Sequence, residues 1–264
     1  MASFEDQIKF MHSFSNVVAE LSRLTGLIFI NTRSNSKKPI DRSLRLILNC
    51  NNKGQFATRD YMLAKVALLV KNLKRIEEYD KRLFEKFKLH LLRSQNDNEY
   101  FGARFEIGIA SGLIGCKVNF VKQESPDFKI SENETLFLEC TSSHIVALNQ
   151  DINRKIEETI QNKSAKSYCT TKTALLIDVT NLFCRHVNNT SFSYDSMEKT
   201  VEQSLKNIDF GSVLLFFFYA NASIYQLNCF RIDNKKINRS LASFLDKLLP
   251  IIGEIDPKWF PQEG

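Results

Sequence analysis

The chain has only nine glycines, five prolines and one tryptophan in 264 residues. So little turn chemistry argues against a propeller or another loop-rich all-β architecture. Neither GxGxxG nor GxxxxGK[ST] occurs, which removes the phosphate-cradling loops of dinucleotide-binding and P-loop folds. The longest strongly apolar run, VLLFFFYA at 213–220, has eight residues and is too short to cross a bilayer as a helix. The N-terminal MASFEDQIKFMHSF has an early acidic pair and no continuous apolar stretch, so it does not read as a secretory signal. Six cysteines (Cys50, Cys116, Cys140, Cys169, Cys184, Cys229) form no CxxC or CxxH. Several sit in apolar segments, where cysteine acts as a small core hydrophobe. Neither structural zinc nor a disulfide framework is expected. The expectation is a soluble, cytoplasmic protein without membrane contact.

What is present is a globular balance, 43% hydrophobic and 25% charged, which excludes wholesale disorder and fibrous repeats. A net charge of +6 is a mild basic excess, compatible with a polyanionic partner. Phe4, Ile8, Met11, Phe14, Val17, Val18, Leu21 and Leu24 predict a helix over 4–25. A strand-like LIFI at 27–30 and a basic loop, TRSNSKKP, follow. Residues 58–93 predict one long helix with Thr58 as N-cap, its charges mostly a solvated face with i,i+4 pairs. Within it Lys71, Lys74 and Arg75 could touch phosphate. The polar QNDNEY at 95–100 marks a boundary between a mainly helical region, 1–95, and an α/β domain, 96–264. In that domain the pattern predicts a helix over 99–115, a strand KVNFV at 117–121, and a hairpin of DFKI (127–130) and TLFLECT (135–141). A helix over 150–167 precedes TALLIDVT (173–180), whose unbroken apolar run suits a strand covered on both faces. A helix over 195–207, strands at 212–220 and 223–232, and a helix over 238–249 complete a mixed central sheet flanked by helices.

Three acids stand out. Asp127 opens a strand after Pro126, Glu139 closes the apolar LFLE, and Glu106 lies within the helix YFGARFEIGIASGL. An unpaired buried charge is expensive, so an inward carboxylate needs a partner. Antiparallel strands opening at Asp127 and ending at Glu139 put both carboxylates at one end of the hairpin, and the preceding helix can lay Glu106 beside them. Three hard oxygen donors suit Mg²⁺ or Mn²⁺. The plain alternatives are a half-exposed Glu106 paired with Arg104 or another cation, and an Asp127 serving the turn after Pro126. Asp178 reads as a strand cap, and Ser142, Ser143 and His144 as loop residues or helix caps. His12, His90 and His186 have no partner that the sequence argues for. Phe210 and the run Phe216, Phe217, Phe218 read as core or interface, since they lie in an apolar strand and not in a basic groove.

Glu106 on a helix, a strand, Pro126-Asp127, a turn, then Glu139-Cys140-Thr141: this order resembles the PD-(D/E)xK nuclease superfamily, the restriction-endonuclease-like fold. Its αβββαβ core would cover roughly residues 99–180, with the N-terminal helices as an extension. The resemblance implies Mg²⁺- or Mn²⁺-dependent hydrolysis of phosphodiester bonds, with DNA the expected nucleic acid and a homodimer left open. Asp127 and Glu139 would hold the metal, with the Cys140 carbonyl as a further ligand and Glu106 as a direct or water-mediated one. Such a metal lowers the pKa of a bound water and offsets charge in the transition state. The family's Lys orients or deprotonates that water.

The family places this Lys two residues after the second acid, where the chain has Thr141. Lys163 can supply it, because it falls within about 20° of Ile152 and Ile156 on a helix of 3.6 residues per turn. Lys129 shares the strand face of Asp127 and is the second candidate. Lys163 is the favoured one. Lys122, Lys129, Lys163 and Lys166 are expected at the rim of the cleft. The alternative is a catalytically silent nuclease-fold protein that binds nucleic acid or protein, and Thr141 keeps it open. A third reading is an unrelated α/β interaction protein in which the acids are coincidental.

Overall fold

The apolar spacing of the first segment does produce a helix, α1 (Phe4–Thr25), but its buried stripe is Phe10, Phe14, Leu21 and Leu24. Ile8 and Met11 stand exposed instead, at 54% and 46%. Phe10 is drawn inward to lie under the Arg59 guanidinium, 4.3 Å from its ring centroid. The computed structural model describes residues 4–27, 38–143, 151–182, 194–220 and 225–248, so the strand expected at 27–30 and most of the basic loop lie outside the described residues. The next helix, α2 (Pro39–Asn52), is absent from the sequence reading. Its signals are Pro39 in the first turn and buried Ile40, Leu44, Ile47 and Cys50 at helical spacing. The single helix expected over 58–93 is two, α3 (Phe56–Tyr79) and α4 (Lys81–Arg93). Asp80 leaves the helical conformation, and its carboxylate accepts the backbone N–H groups of Arg82 and Leu83. That cap ends one helix and starts the next.

Residues group into two compact units, one of Met1–Ile114 with Ala220–Tyr225, the other of Gly115–Tyr219 with Gln226–Gly264. The division falls after most of α5 (Asp97–Gly115), not at 95–96, so that helix counts with the helical unit. There α3 packs against α1, α2 and α4. Arg75 and Arg104 tie α5 to α3, donating across to the Ser111 and Lys65 carbonyls at 3.3 Å each.

The second unit is built on one six-stranded sheet in the order β1 (Phe120–Lys122), β2 (Phe128–Ser131), β3 (Thr135–Ser142), β4 (Thr173–Asp178), β5 (Ser212–Ala220), β6 (Tyr225–Asp233). The first three strands form an antiparallel meander, while β3, β4 and β5 run parallel, so the sheet is mixed. β1 starts three residues later than the sequence suggests, after a turn in which Lys117 takes a left-handed φ of 58°. Parallel neighbours need a long crossover. The first is α6 (Ile152–Ser164), capped by the Asp151 carboxylate on the Arg154 N–H, and α7 (Tyr194–Leu205) lies on the second. Ile152, Ile156 and Ile160 of α6 and Met197, Val201 and Leu205 of α7 bury against Leu175, Ile177, Val213, Leu215 and Phe217 on one face of the sheet. The alternate residues Leu176, Leu214 and Phe216 are also buried, so the central strands are covered on both faces, as the unbroken TALLID predicts.

A closing helix, α8 (Arg239–Leu248), is fixed to the sheet by Arg231, which pairs with Asp233 at 2.7 Å and with Asp246 at 2.6 Å. The Asn234 side-chain amide donates to the carbonyls of Leu205, Ile208 and Phe210 and gathers that corner together. Among the described residues Cys50, Cys116, Cys140, Cys169 and Cys229 form no disulfide. Burial pushes the Cys229 thiol up to about 12, as befits a core residue. Among the described residues no helix is long and apolar enough to cross a membrane.

Candidate active site

The hairpin register decides where the two acids fall. Phe128 pairs with Leu138, so one further step sets Asp127 opposite Glu139 across adjacent antiparallel strands. Both are buried, at 6% and 4% exposure. Glu139 is aligned with Leu175 of the parallel neighbour, and Leu175 packs under α6. Glu139 therefore faces that helix, and Thr141, two residues on, shares its face.

Lys163 reaches Glu139 from the last turn of α6, with Nζ 2.5 Å from Oε1. Helical phase explains this. Ile152, Ile156 and Ile160 are buried on the sheet, and Lys163 continues their line to Glu139 within β3. The other candidate, Lys129, lies opposite Phe137 and makes no ion pair with either acid among the described residues. Lys166 is exposed in the turn after α6.

Lys122 is the residue the sequence places least well. Expected on a rim, it is only 12% exposed, and its Nζ lies 2.8 Å from Asp127 Oδ1 and 2.9 Å from the Gln123 carbonyl. The other Asp127 oxygen accepts the Cys140 backbone N–H at 2.7 Å. Asp127 is thus more than the turn residue of a Ser-Pro-Asp loop, because its side chain bridges β1 to β3. Each acid has one lysine, so the pair is close to electrically neutral.

Tyr168 completes the cluster and carries no sequence signal beyond its position after α6. Burial, then the Glu139 carboxylate it faces and the charge of Asp127, push its phenol above the ordinary tyrosine range, with a hydrogen bond to Ser125 opposing. It therefore stays a proton donor at neutral pH. Tyr168 does not satisfy Glu139 Oε2, which is buried and makes no hydrogen bond among the described residues.

Glu106 belongs to the helical unit, on α5, where it is 8% exposed with its Oε2 3.6 Å from His90 Nδ1. The His90 imidazole thus lies beside it, a neighbour the sequence does not suggest, while Arg104 turns to the Lys65 carbonyl. Asp178 caps as expected, its Oδ1 accepting the Thr180 N–H at 2.9 Å. Ser143 is buried and its hydroxyl bonds to that of Thr159 at 3.2 Å, a structural pairing and not a nucleophile–base arrangement. Among the described residues His12 bonds to Asn16, and His144 and His186 lie outside them. Phe210, Phe216, Phe217 and Phe218 are core residues.

The donor set is hard oxygen throughout, which suits Mg²⁺ or Mn²⁺ and not a soft metal. Mg²⁺ keeps several waters and asks for only one or two carboxylates, so Asp127 and Glu139 with a backbone carbonyl fit it. The unsatisfied, buried Glu139 Oε2 is a vacant acceptor of the right kind. A cation at Asp127 has to share it with Lys122. Among the described residues no three His, Cys, Asp or Glu side chains gather into a metal cluster.

The sequence matches no protein-family model and no curated protein. The site rests on its own geometry.

Proposed function

We propose that the protein is a metal-dependent nuclease that hydrolyses phosphodiester bonds, with DNA as substrate and a restriction-endonuclease-like core that includes β1–β4 and α6. The observation that carries this reading is the ion pair between Lys163 and Glu139, directly across the hairpin from Asp127. It supplies, from the following helix, the ammonium that Thr141 cannot. A Mg²⁺ ion held by Asp127 and Glu139 would supply a water of lowered pKa and a counter-charge for the phosphoryl oxygens.

The chain's own residues do the rest. Glu139 holds the Lys163 side chain in place, so the ammonium can orient an attacking water and meet developing negative charge. The Tyr168 phenol, kept protonated, can donate a hydrogen bond to a non-bridging phosphate oxygen or to the leaving group. Lys122, once off Asp127, is a second ammonium for the same phosphate.

The test is Mg²⁺- or Mn²⁺-dependent plasmid nicking by wild type and by Lys163→Met. Wild type is expected to nick, and the variant to lose about 10²–10³ in rate, the loss typical of one charge-stabilising group, while still binding Mn²⁺. Equal cleavage by both removes Lys163 from the mechanism. A second reading, a silent nuclease-fold protein, is favoured by the one-to-one pairing of the acids with Lys163 and Lys122. It is the better one if wild type cleaves neither DNA nor RNA with either metal.

A further inference from the structure

The helical unit carries a surface that the hairpin site does not use. α4 has five cations, Lys81, Arg82, Lys86, Lys88 and Arg93, against the single acid Glu85. For comparison, the whole chain is net +6. At about 100° per residue, Arg82, Lys86, Leu89 and Arg93 fall within roughly 60° of one another. They lie opposite Phe84, Phe87 and Leu91, the buried face of the helix. Arg82, Lys86 and Arg93 are exposed, Leu89 is 45% exposed, and none of the three cations makes an ion pair among the described residues. Glu85 is taken by Lys88, at 2.9 Å.

A solvated helix face normally alternates its charges, with acid and base four residues apart. This one does the reverse. Arg82 and Lys86 are like charges at i,i+4, which destabilises a helix slightly. Lys81 and Arg82 also occupy the first turn, the positive end of the helix dipole, with no acid in that turn. The Asp80 carboxylate at the N-cap offsets the charge of that first turn, but among the described residues no acid pairs with Arg82, Lys86 or Arg93, and such an uncompensated line of cations marks a surface shaped for something else.

We infer that the Arg82–Lys86–Arg93 stripe of α4 docks the phosphate backbone of duplex DNA. The stripe spans about 16 Å at 1.5 Å rise per residue. A strand of B-DNA winds around its axis, so a straight stripe of that length laid along one strand meets about three phosphates, one for each cation. Three long cations flanking one apolar side chain on a straight helix give backbone contact without base readout, which is binding that positions and does not specify sequence. This deepens the reading above and rests on its nucleic-acid substrate, but it needs neither the metal nor the lysines of the hairpin site.

The experiment uses the full chain and a short duplex, with affinity measured across a salt series. The variant Arg82→Glu/Lys86→Glu/Arg93→Glu is set against a control of equal charge change at exposed positions elsewhere, Lys53→Glu/Lys199→Glu/Lys206→Glu. Circular dichroism checks the fold, and Arg82→Gln/Lys86→Gln/Arg93→Gln serves if charge reversal disturbs it. The stripe variant is expected to bind tenfold or more weaker near 0.1 M salt. Its log K against log salt slope should fall by about 2.7, or roughly 0.9 for each of three phosphates. The control should keep the wild-type slope. Equal weakening in both variants overturns the proposal, because net charge alone then explains it. So does a wild type that binds neither duplex DNA nor duplex RNA, which would point to an acidic protein partner. The same stripe dependence on RNA, with tighter binding, keeps the phosphate contact and changes its source. Hydrolysis of bis(p-nitrophenyl) phosphate, measured in parallel, separates the two readings. Stripe-dependent binding without hydrolysis keeps the stripe and removes the nuclease, and hydrolysis with stripe-independent binding does the opposite.

Discussion

Lys122 and Lys163 stand in the same relation to their acids but at different depths. By side chain alone, Lys122 is 12% exposed against Asp127 at 9%, whereas Lys163 is 28% exposed over Glu139 at 5%. Breaking a buried pair costs about 3–5 kcal/mol when the remaining charge is uncompensated. The wetter Lys163 makes its loss cheaper, about 1–3 kcal/mol, so Lys163→Met should still fold and show a lowered Tm. If Lys122 holds the place of a cation, Lys122→Met should tighten Mn²⁺ binding by about tenfold or more. Even at an effective dielectric of 20, a unit charge at 4 Å is worth about 4 kcal/mol. Mn²⁺ titration followed by electron paramagnetic resonance reads this directly, and unchanged or weaker affinity would show that Lys122 and the metal do not compete. Of these side chains Asp127, Glu139 and Lys163 were legible, because strand alternation and helical phase are local rules. Lys122 and Tyr168 were not. The reach of Lys122 back to Asp127 and the approach of Tyr168 to Glu139 depend on how a turn closes, which no periodicity records.

At the level of elements, the junction between α7 and β5 is closely packed. A Cβ at Gly211 would overlap the Thr171 carbonyl oxygen and come 2.7 Å from Leu241 Cδ2. The first of these is backbone, and Asn238 also hydrogen-bonds to it at 3.0 Å, so it cannot easily give way. Gly211→Ala should lower stability by about 1–3 kcal/mol, the usual cost of overpacking, as read by urea unfolding. A wild-type midpoint would mean that the β4 approach loosens without cost. The helix break at Asp80 belongs here too. An aspartate inside a charged helical pattern reads as one more surface acid until its carboxylate is seen to cap Arg82 and Leu83. The missed α2 shows the same weakness of sequence reading. A helix of fourteen residues has few periodic positions, and the basic loop before it obscures its start.

At the scale of the whole molecule, one tie between strands and the closing helix has a pH response that can be worked out. Glu134, at the start of β3, binds Lys172 before β4 and accepts the Ser240 hydroxyl of α8 at 2.8 Å. The Lys172 hydrogen bond first, and then that of Ser240, hold its carboxyl below the usual 4.5. A carboxyl with a depressed folded pKa stabilises the protein above its unfolded pKa and loses that effect as pH falls through the folded value. Thermal unfolding of wild type and Glu134→Gln should therefore differ by a constant amount above about pH 5, and the gap should shrink as pH falls below the usual carboxylate range. A gap that stays the same at low pH would mean that the tie is not ionic. Metal dependence is a second whole-molecule test. Asp127→Ala should abolish Mn²⁺ binding if the hairpin acids hold the metal, and retained binding would relocate it.

The sequence alone determined the α/β class, the antiparallel hairpin that sets Asp127 opposite Glu139, the doubly covered β4 and the helical phase that sends Lys163 to the sheet. These follow from periods of 2 and 3.6 residues and from turn residues, all of which act over a few neighbours. Tertiary structure decided what depends on distant partners. It rotated α1 so that Phe10 rather than Met11 is buried, gave Glu106 to His90, and brought Lys122 and Tyr168 to the acids. It also showed that three cations of α4 stand in one line opposite its buried face. Burial and ion pairing are settled by which surfaces meet, and that is decided only when the elements pack.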